Sequence, residues 1–338
     1  MTLWFSLFVL LVLILIPAVG SSGAGLSVLF GNVIPYAAIL VFLGGCVYRV
    51  LKWAKSPVPF RIPTTGGQQK SHDWIRNSPL DNPHTALGTV GRMALEILFF
   101  RSLFRNTKAE LKQGPRLVYG SSKYLWAAGL AFHYSFLVIF IRHFKYFVEP
   151  VPAWIAAVQS LDGFFQVGLP ILYITDIVIL AALGYLFFRR LFDAKIRYFS
   201  HASDYFPLLL IGGIAVTGVL MRYFYKVDLA SIKQLAVGLM SFHPVRPEAI
   251  GTIFYIHLFL VCTLLAYFPF SKLMHLGGIF LSPTRNLANN NRMKRHINPW
   301  NYPVKVHTYE EYEEEFHDVM KAAGLPLERE QSSSGGKE

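Results

Sequence analysis

A chain of 338 residues that is 53% hydrophobic and only 15% charged departs from a soluble domain, in which about 25% charged residues is usual. Its two cysteines, Cys46 and Cys262, both sit inside apolar runs and neither belongs to a CxxC or CxxCH motif. A disulfide scaffold, cysteine-ligated Fe–S clusters, structural zinc and covalently attached haem are thereby excluded. The net charge of +12 is spread along the flanks of apolar runs rather than gathered in one patch, so no nucleic-acid partner is expected. The partner that the composition demands is a lipid bilayer.

Crossing the hydrocarbon takes about 20 apolar residues as a helix, and six segments qualify in chain order: residues 3–19, 33–50, 124–141, 169–188, 206–224 and 251–270. All six are expected to be helical, because backbone groups facing lipid must be satisfied within their own segment. The fold expected is therefore all-α, a polytopic transmembrane helix bundle with a cytoplasmic loop and tail. No Lys or Arg precedes the first segment, so the positive start of a signal peptide is missing and the segment is read as a retained span.

The flanks orient the bundle. Thirteen basic residues lie between Arg49 and Lys123 against four acids, and further basic clusters follow the fourth span (Arg189, Arg190, Lys195, Arg197) and the sixth (Lys272, Arg285, Arg292, Lys294, Arg295). The positive-inside rule makes these three regions cytoplasmic, which puts both termini on the cytoplasmic side of the cell membrane. Four parts are expected: two membrane helices in 1–51, a basic cytoplasmic loop in 52–123, a four-helix region in 124–281 and a partner-docking tail in 282–338. Within the loop, PVPFRIPTTGGQQ reads as an irregular linker. Residues 85–111, which hold the cluster MALEILFF, read as a helix on the membrane surface or under a partner.

Ionisable residues inside a span are costly and mark function by default. His133 lies in the middle of the third span and His143 follows ten residues later; His257 lies in the sixth span and His275 follows eighteen residues later. As continuous helices these separations are about 15 Å and about 27 Å, and eighteen residues return to the same face. The third span runs outward and the sixth inward, so antiparallel packing sets His143 opposite His257 near the outer surface and His133 opposite His275 on the inner side. The unequal separations require tilt and a break near Pro269. Two histidines facing each other can clamp an iron macrocycle through both axial positions, and without CxxCH the groups would be two haem b; four unrelated histidines, packed within a span or snorkelling at its end, are the competing reading. The same residue types serve proton relays in transporters, but no internal repeat is visible and the histidines cluster on two spans. Asp176 lies about 10 Å into the fourth span, where it could accept a proton or orient a histidine N–H; a structural hydrogen bond between helices is the competing reading. Arg142 and Lys145, beside His143, are candidate contacts for haem propionates, with interfacial snorkelling as the alternative.

This histidine pattern over residues 124–275 resembles the di-haem cytochrome b of the respiratory nitrate reductase gamma-subunit family. The long basic loop and the tail HINPWNYPVKVHTYEEYEEEF resemble the DsrM family, the membrane cytochromes b of DsrMKJOP complexes in sulfite reduction, whose archaeal counterparts are the cytochrome b subunits of Hdr-like menaquinol oxidoreductases. The resemblance implies haem iron ligation by His133, His143, His257 and His275, and menaquinol as substrate, which makes Asp176 a candidate quinol proton acceptor and Arg142 and Lys145 candidate contacts for a quinone oxygen. It further implies a cytoplasmic iron–sulfur subunit related to heterodisulfide reductase as acceptor, and further subunits of a DsrMKJOP-type complex as partners. Where the nitrate reductase family has a glycine before the outer histidine, this chain has Arg142, so the quinol site of that family does not carry over.

Overall fold

A computed structural model describes residues 2–56, 69–114, 116–163, 170–245, 250–290, 292–293 and 306–328. The chain divides into two units, Met1–Lys294 and Arg295–Glu338.

The first unit opens with α1 (Thr2–Ser22), a helix without a charged residue, followed by a π-helical turn at Leu29–Val33 and α2 (Ile34–Ala54). Pro35 stands in the first turn of α2, where its missing N–H costs nothing. In the loop, the Thr85 hydroxyl accepts from Gly88 N and caps α3 (Ala86–Phe99). The helix expected over 85–111 is shorter than that. Phe100 adopts a left-handed conformation (φ 49°, ψ 48°) and stops it. The carboxylate of Glu96 then accepts from Ser102 N at 3.1 Å, in the first turn of α4 (Arg101–Phe104). The polar residue inside the apolar cluster thus serves to restart the chain in a new direction. Beyond it comes an antiparallel hairpin, β1 (Thr107–Lys112) and β2 (Arg116–Ser121), with Thr107 opposite Ser121 and Gly114 at φ 81° in its turn. The bundle is all-α apart from this ribbon.

The remaining helices of the unit are α5 (Lys123–His143), α6 (Ala153–Asp162), α7 (Ile174–Phe192), α8 (Ala194–Phe199), α9 (Ala202–Val219), α10 (Leu229–Met240), α11 (Thr252–Tyr267) and α12 (His275–Leu281). Among the described residues, five stretches are long and apolar enough to cross a membrane: Thr2–Ser22, Leu29–Ala54, Lys123–Tyr146, Ala202–Phe224 and Thr252–Phe270. The expected fourth span corresponds to α7, which has Asp176 in its first turn and Arg189 and Arg190 in its last; these end charges set it apart from the five. It is nonetheless central to the bundle, since α7 packs on α5 and on α9. In turn α9 packs on α1 and α11, and α11 on α2.

Two apolar clusters hold these contacts. Ile179 and Leu183 of α7 pack with Ile211 of α9. Phe30, Ile232, Leu235, Phe254 and Tyr255 join the turn before α2 to α10 and α11. Among the described residues α5 and α11 are not an extensively packed pair. Direct packing of the third span on the sixth, expected from sequence, is not extensive among the described residues: α7 packs on α5 and α9, and α9 on α11.

The chain after α11 breaks where Pro269 foretold. A 3-10 turn, Phe268–Phe270, leads to Ser271 in extended conformation (φ −109°, ψ 177°), then to a second 3-10 turn, Lys272–Met274. His257 and His275 therefore do not share one continuous helix, and the five-turn count does not describe their geometry. The break lies against α2 at Gly45, where a Cβ would come within 2.8 Å of Pro269 Cβ.

The second unit has one described helix, α13 (Tyr309–Ala322). Thr308 and Glu311 form a reciprocal cap at its start, Gly324 follows its end at φ 68°, and Met320 and Leu327 are buried. The linker at 57–68, residues 294–305 of the tail and the chain from 329 lie outside the described residues.

Candidate functional site

The four histidines meet in two pairs between α5 and the chain of α11 and α12. His143 and His257 stand with ring centroids 6.5 Å apart and planes within 14° of parallel. His133 and His275 stand 6.0 Å apart with planes at 83°. Each ring is held from behind. His133 Nδ1 is 2.7 Å from Gly129 O, His143 Nδ1 is 2.6 Å from Ile139 O, and His275 Nδ1 is 3.0 Å from Lys272 O. His257 Nδ1 lies 2.9 Å from Thr217 Oγ1 of α9. A carbonyl only accepts, so in those three rings Nδ1 carries the hydrogen and Nε2 keeps its lone pair.

This donor set fits a planar macrocycle with a metal at its centre. Two imidazole–metal bonds of about 2 Å put facing nitrogens about 4 Å apart and ring centroids about 6 Å apart, the spacing of both pairs. Among the described residues no three His, Cys, Asp or Glu side chains gather as a metal group. Phe100 and Phe132 meet the His133 ring edge-on at 4.9 and 5.0 Å.

Around the His143 end lies a polar network of which the sequence announced only a part. Arg142 is buried. Its Nη2 donates to Asp176 Oδ1 at 2.7 Å, its Nε is 3.0 Å from Asp162 Oδ2, and its guanidinium lies 3.7 Å from the Tyr173 ring centroid. Asp162 also accepts from Thr175 N and Oγ1 at 2.9 and 2.7 Å. The Tyr223 hydroxyl donates to Asp176 Oδ2 at 2.9 Å, and the Arg222 guanidinium stacks on Tyr173 at 3.9 Å. Asp176 thus bridges α7 to α5 and to the turn after α9, through Arg142 and Tyr223. Lys145 donates to Gln159 Oε1 of α6 at 2.9 Å. Sequence reasoning missed Asp162, Tyr173 and Tyr223 as members of the network. The available signal was a buried-charge balance: Arg142 and Arg222, both at span ends, need acidic partners, and Asp162 and Asp176 are the nearby acids.

The His133–His275 pair is braced from the loop. Trp126 Nε1 donates to Phe99 O at 2.7 Å and the Tyr134 hydroxyl to Leu98 O at 2.8 Å, so α5 takes up carbonyls left open at the end of α3. The segment after α12 folds onto the same loop: Arg285 Nη1 is 2.9 Å from Glu96 Oε1 and donates to Ser102 Oγ at 2.9 Å, and Asn289 N donates to Pro83 O at 2.6 Å. Asp81 binds both Arg101 and Arg105. The Arg101 guanidinium holds the Asp81 carboxyl well below the usual carboxylate range.

Comparison with known proteins matches residues 94–296 to the nitrate reductase gamma subunit family, an interval that contains all four histidines. The Hdr-like menaquinol oxidoreductase cytochrome b-like subunit of Archaeoglobus fulgidus is 46% identical over 282 residues, 81% of this chain and 84% of that protein. The protein of the same description from Archaeoglobus profundus is 41% identical over 274 residues, 79% of this chain and 81% of its own.

Proposed function

Because the chain belongs to the nitrate reductase gamma-subunit family and is kin to the cytochrome b-like subunits of Hdr-like menaquinol oxidoreductases, we propose that it is the menaquinol-oxidising di-haem cytochrome b of a membrane redox complex. Its electrons go to a cytoplasmic iron–sulfur subunit related to heterodisulfide reductase, and the likeness of its tail to the DsrM family supports sulfite respiration as the process served. The observation that carries the proposal is the two facing histidine pairs, each ring anchored through Nδ1.

His143 and His257 hold the outer haem b in this reading, and His133 and His275 the inner one. When bound, the two groups supply one-electron transfer between the outer and inner sides of the membrane. The histidines orient them: every Nδ1 is tied back, which fixes ring direction and strengthens the opposite nitrogen as a ligand. Quinol is oxidised at the outer end, beside Lys145 and the Arg142–Asp176 network. In this reading Asp176 accepts a quinol proton. Both of its oxygens are already engaged by Arg142 and Tyr223, so the proton arrives only as one of these bonds yields. Arg142 is turned onto Asp162 and Asp176, so of the two cations first considered for propionate or quinone contact, Lys145 is the better placed.

The test is a reduced-minus-oxidised spectrum of the purified chain with a pyridine haemochromogen assay, expected to give two b-type haems per chain, reducible by a short-chain menaquinol. A haem-free chain that folds and assembles would overturn the proposal.

A further inference from the structure

Three of the four histidines bind a carbonyl of their own helical turn through Nδ1: His133 to Gly129, His143 to Ile139 and His275 to Lys272. His257 differs. Its Nδ1 partner at 2.9 Å is a side chain on another helix, Thr217 Oγ1 of α9. Thr217 is buried, and its oxygen also lies 2.8 Å from Gly213 O and 3.0 Å from Ile214 O. A hydroxyl has one hydrogen and two lone pairs. Both carbonyls only accept, so the hydrogen goes to one of them and a lone pair faces the imidazole. With that hydrogen so placed, His257 Nδ1 carries the ring hydrogen and Nε2 is left bare. The next residue, Gly218, brings the α9 backbone up to the same ring: a Cβ there would sit 3.4 Å from His257 Cε1.

We propose that Thr217 is a positioning residue for His257: its hydroxyl sets the tautomer and electron-donating strength of that ring, and through them the potential of the outer redox centre alone. The inference rests on the reading of the histidine pairs as haem ligands. An imidazole whose N–H is accepted by a neighbour is a more basic ligand and favours the oxidised metal. The other three rings draw this effect from backbone that no substitution removes, and only His257 draws it from a side chain.

The experiment is a redox titration of the full-length, haem-loaded chain, following the two centres separately by optical and EPR signals. Thr217→Val keeps the shape and removes the acceptor. The expected result is an outer centre whose reduced form is favoured about tenfold more than before, a rise of about 59 mV for a one-electron couple. The inner centre stays where it was, two haems per chain are retained, and Thr217→Ser returns the outer potential to its original value. Should the valine variant not assemble, Thr217→Ala is read in the same way. An unmoved outer potential, as when the Ile214 carbonyl beside the ring takes over the hydrogen, overturns the proposal. Equal shifts in both centres, or a serine variant that behaves like valine, also overturn it by reducing Thr217 to packing. A wild-type chain with no bis-histidine signal sinks the ligand reading and this inference together, whereas an unmoved potential in haem-loaded Thr217→Val sinks this inference alone.

Discussion

His257 and His275 are eighteen residues apart on one stretch of chain, and each faces a different residue of α5. Removing them should therefore have separable effects. His257→Ala is expected to abolish the outer haem signal and leave the inner one, and His275→Ala the reverse, read from low-temperature spectra. Loss of the same signal from both variants would refute the pairing. Asp176→Asn keeps side-chain shape and removes its charge, so quinol-driven haem reduction should slow several-fold in stopped flow while the spectra remain unchanged. The four histidines were legible because ionisable residues stand out against an apolar background. Asp162 and Tyr223 were not, because they lie in interfacial segments where charged and aromatic residues are ordinary, and only the fold brings them to Arg142 and Asp176.

The break between α11 and α12 shows what pattern could and could not foretell. Pro269 signalled it, since proline cannot continue the hydrogen-bond ladder of a helix, but Ser271 in extended conformation and the packing against Gly45 were not readable. That packing gives a prediction. A side chain at Gly45 must displace Pro269 or Phe270, and overpacking of this kind costs about 1–3 kcal/mol. Gly45→Leu is expected to lower haem occupancy at the His133–His275 pair while sparing the other, by haem-to-protein ratio. The loop element was misread for the opposite reason. Residues 85–111 carry helical periodicity in their first half only, and the left-handed Phe100 with its Glu96–Ser102 bond ends what composition would have continued. The strand pattern at Thr107–Lys112, apolar residues alternating with Lys and Glu, was available in the sequence but was overshadowed by the cluster before it.

Taken as a whole, the bundle puts few charges on one side and a basic loop on the other. If quinol is oxidised at the outer pair and electrons leave at the inner pair, each full crossing works against about 2.3 kcal/mol per 100 mV of outside-positive potential. Turnover in reconstituted vesicles should fall under an imposed potential and rise with an uncoupler. Release of quinol protons into the cytoplasm-facing compartment, seen with pH indicators on both sides, would refute the outer site. The loop itself has an acid limit. Asp81 has its pKa depressed in the folded state by Arg101, so its contribution is present above the unfolded value near 4 and is lost as pH falls toward the folded one. Hydrogen exchange over residues 78–105 is expected to stay slow at neutral pH and to rise in strong acid. In Asp81→Asn it should already be fast at pH 7.

The pairing of histidines across α5 and the chain of α11 and α12 bears on how such a protein is made. His133 and His143 enter the membrane with α5, well before their partners have left the ribosome, and neither pair is complete until the last helices have inserted. A chain ending before α11 can display two histidines but clamp nothing. Since α5 and α11 do not pack extensively on each other, a cofactor held by both histidine pairs, as proposed above, would join these two helices, and its capture would close the assembly. Cells starved of haem are then expected to degrade this chain rather than to store it.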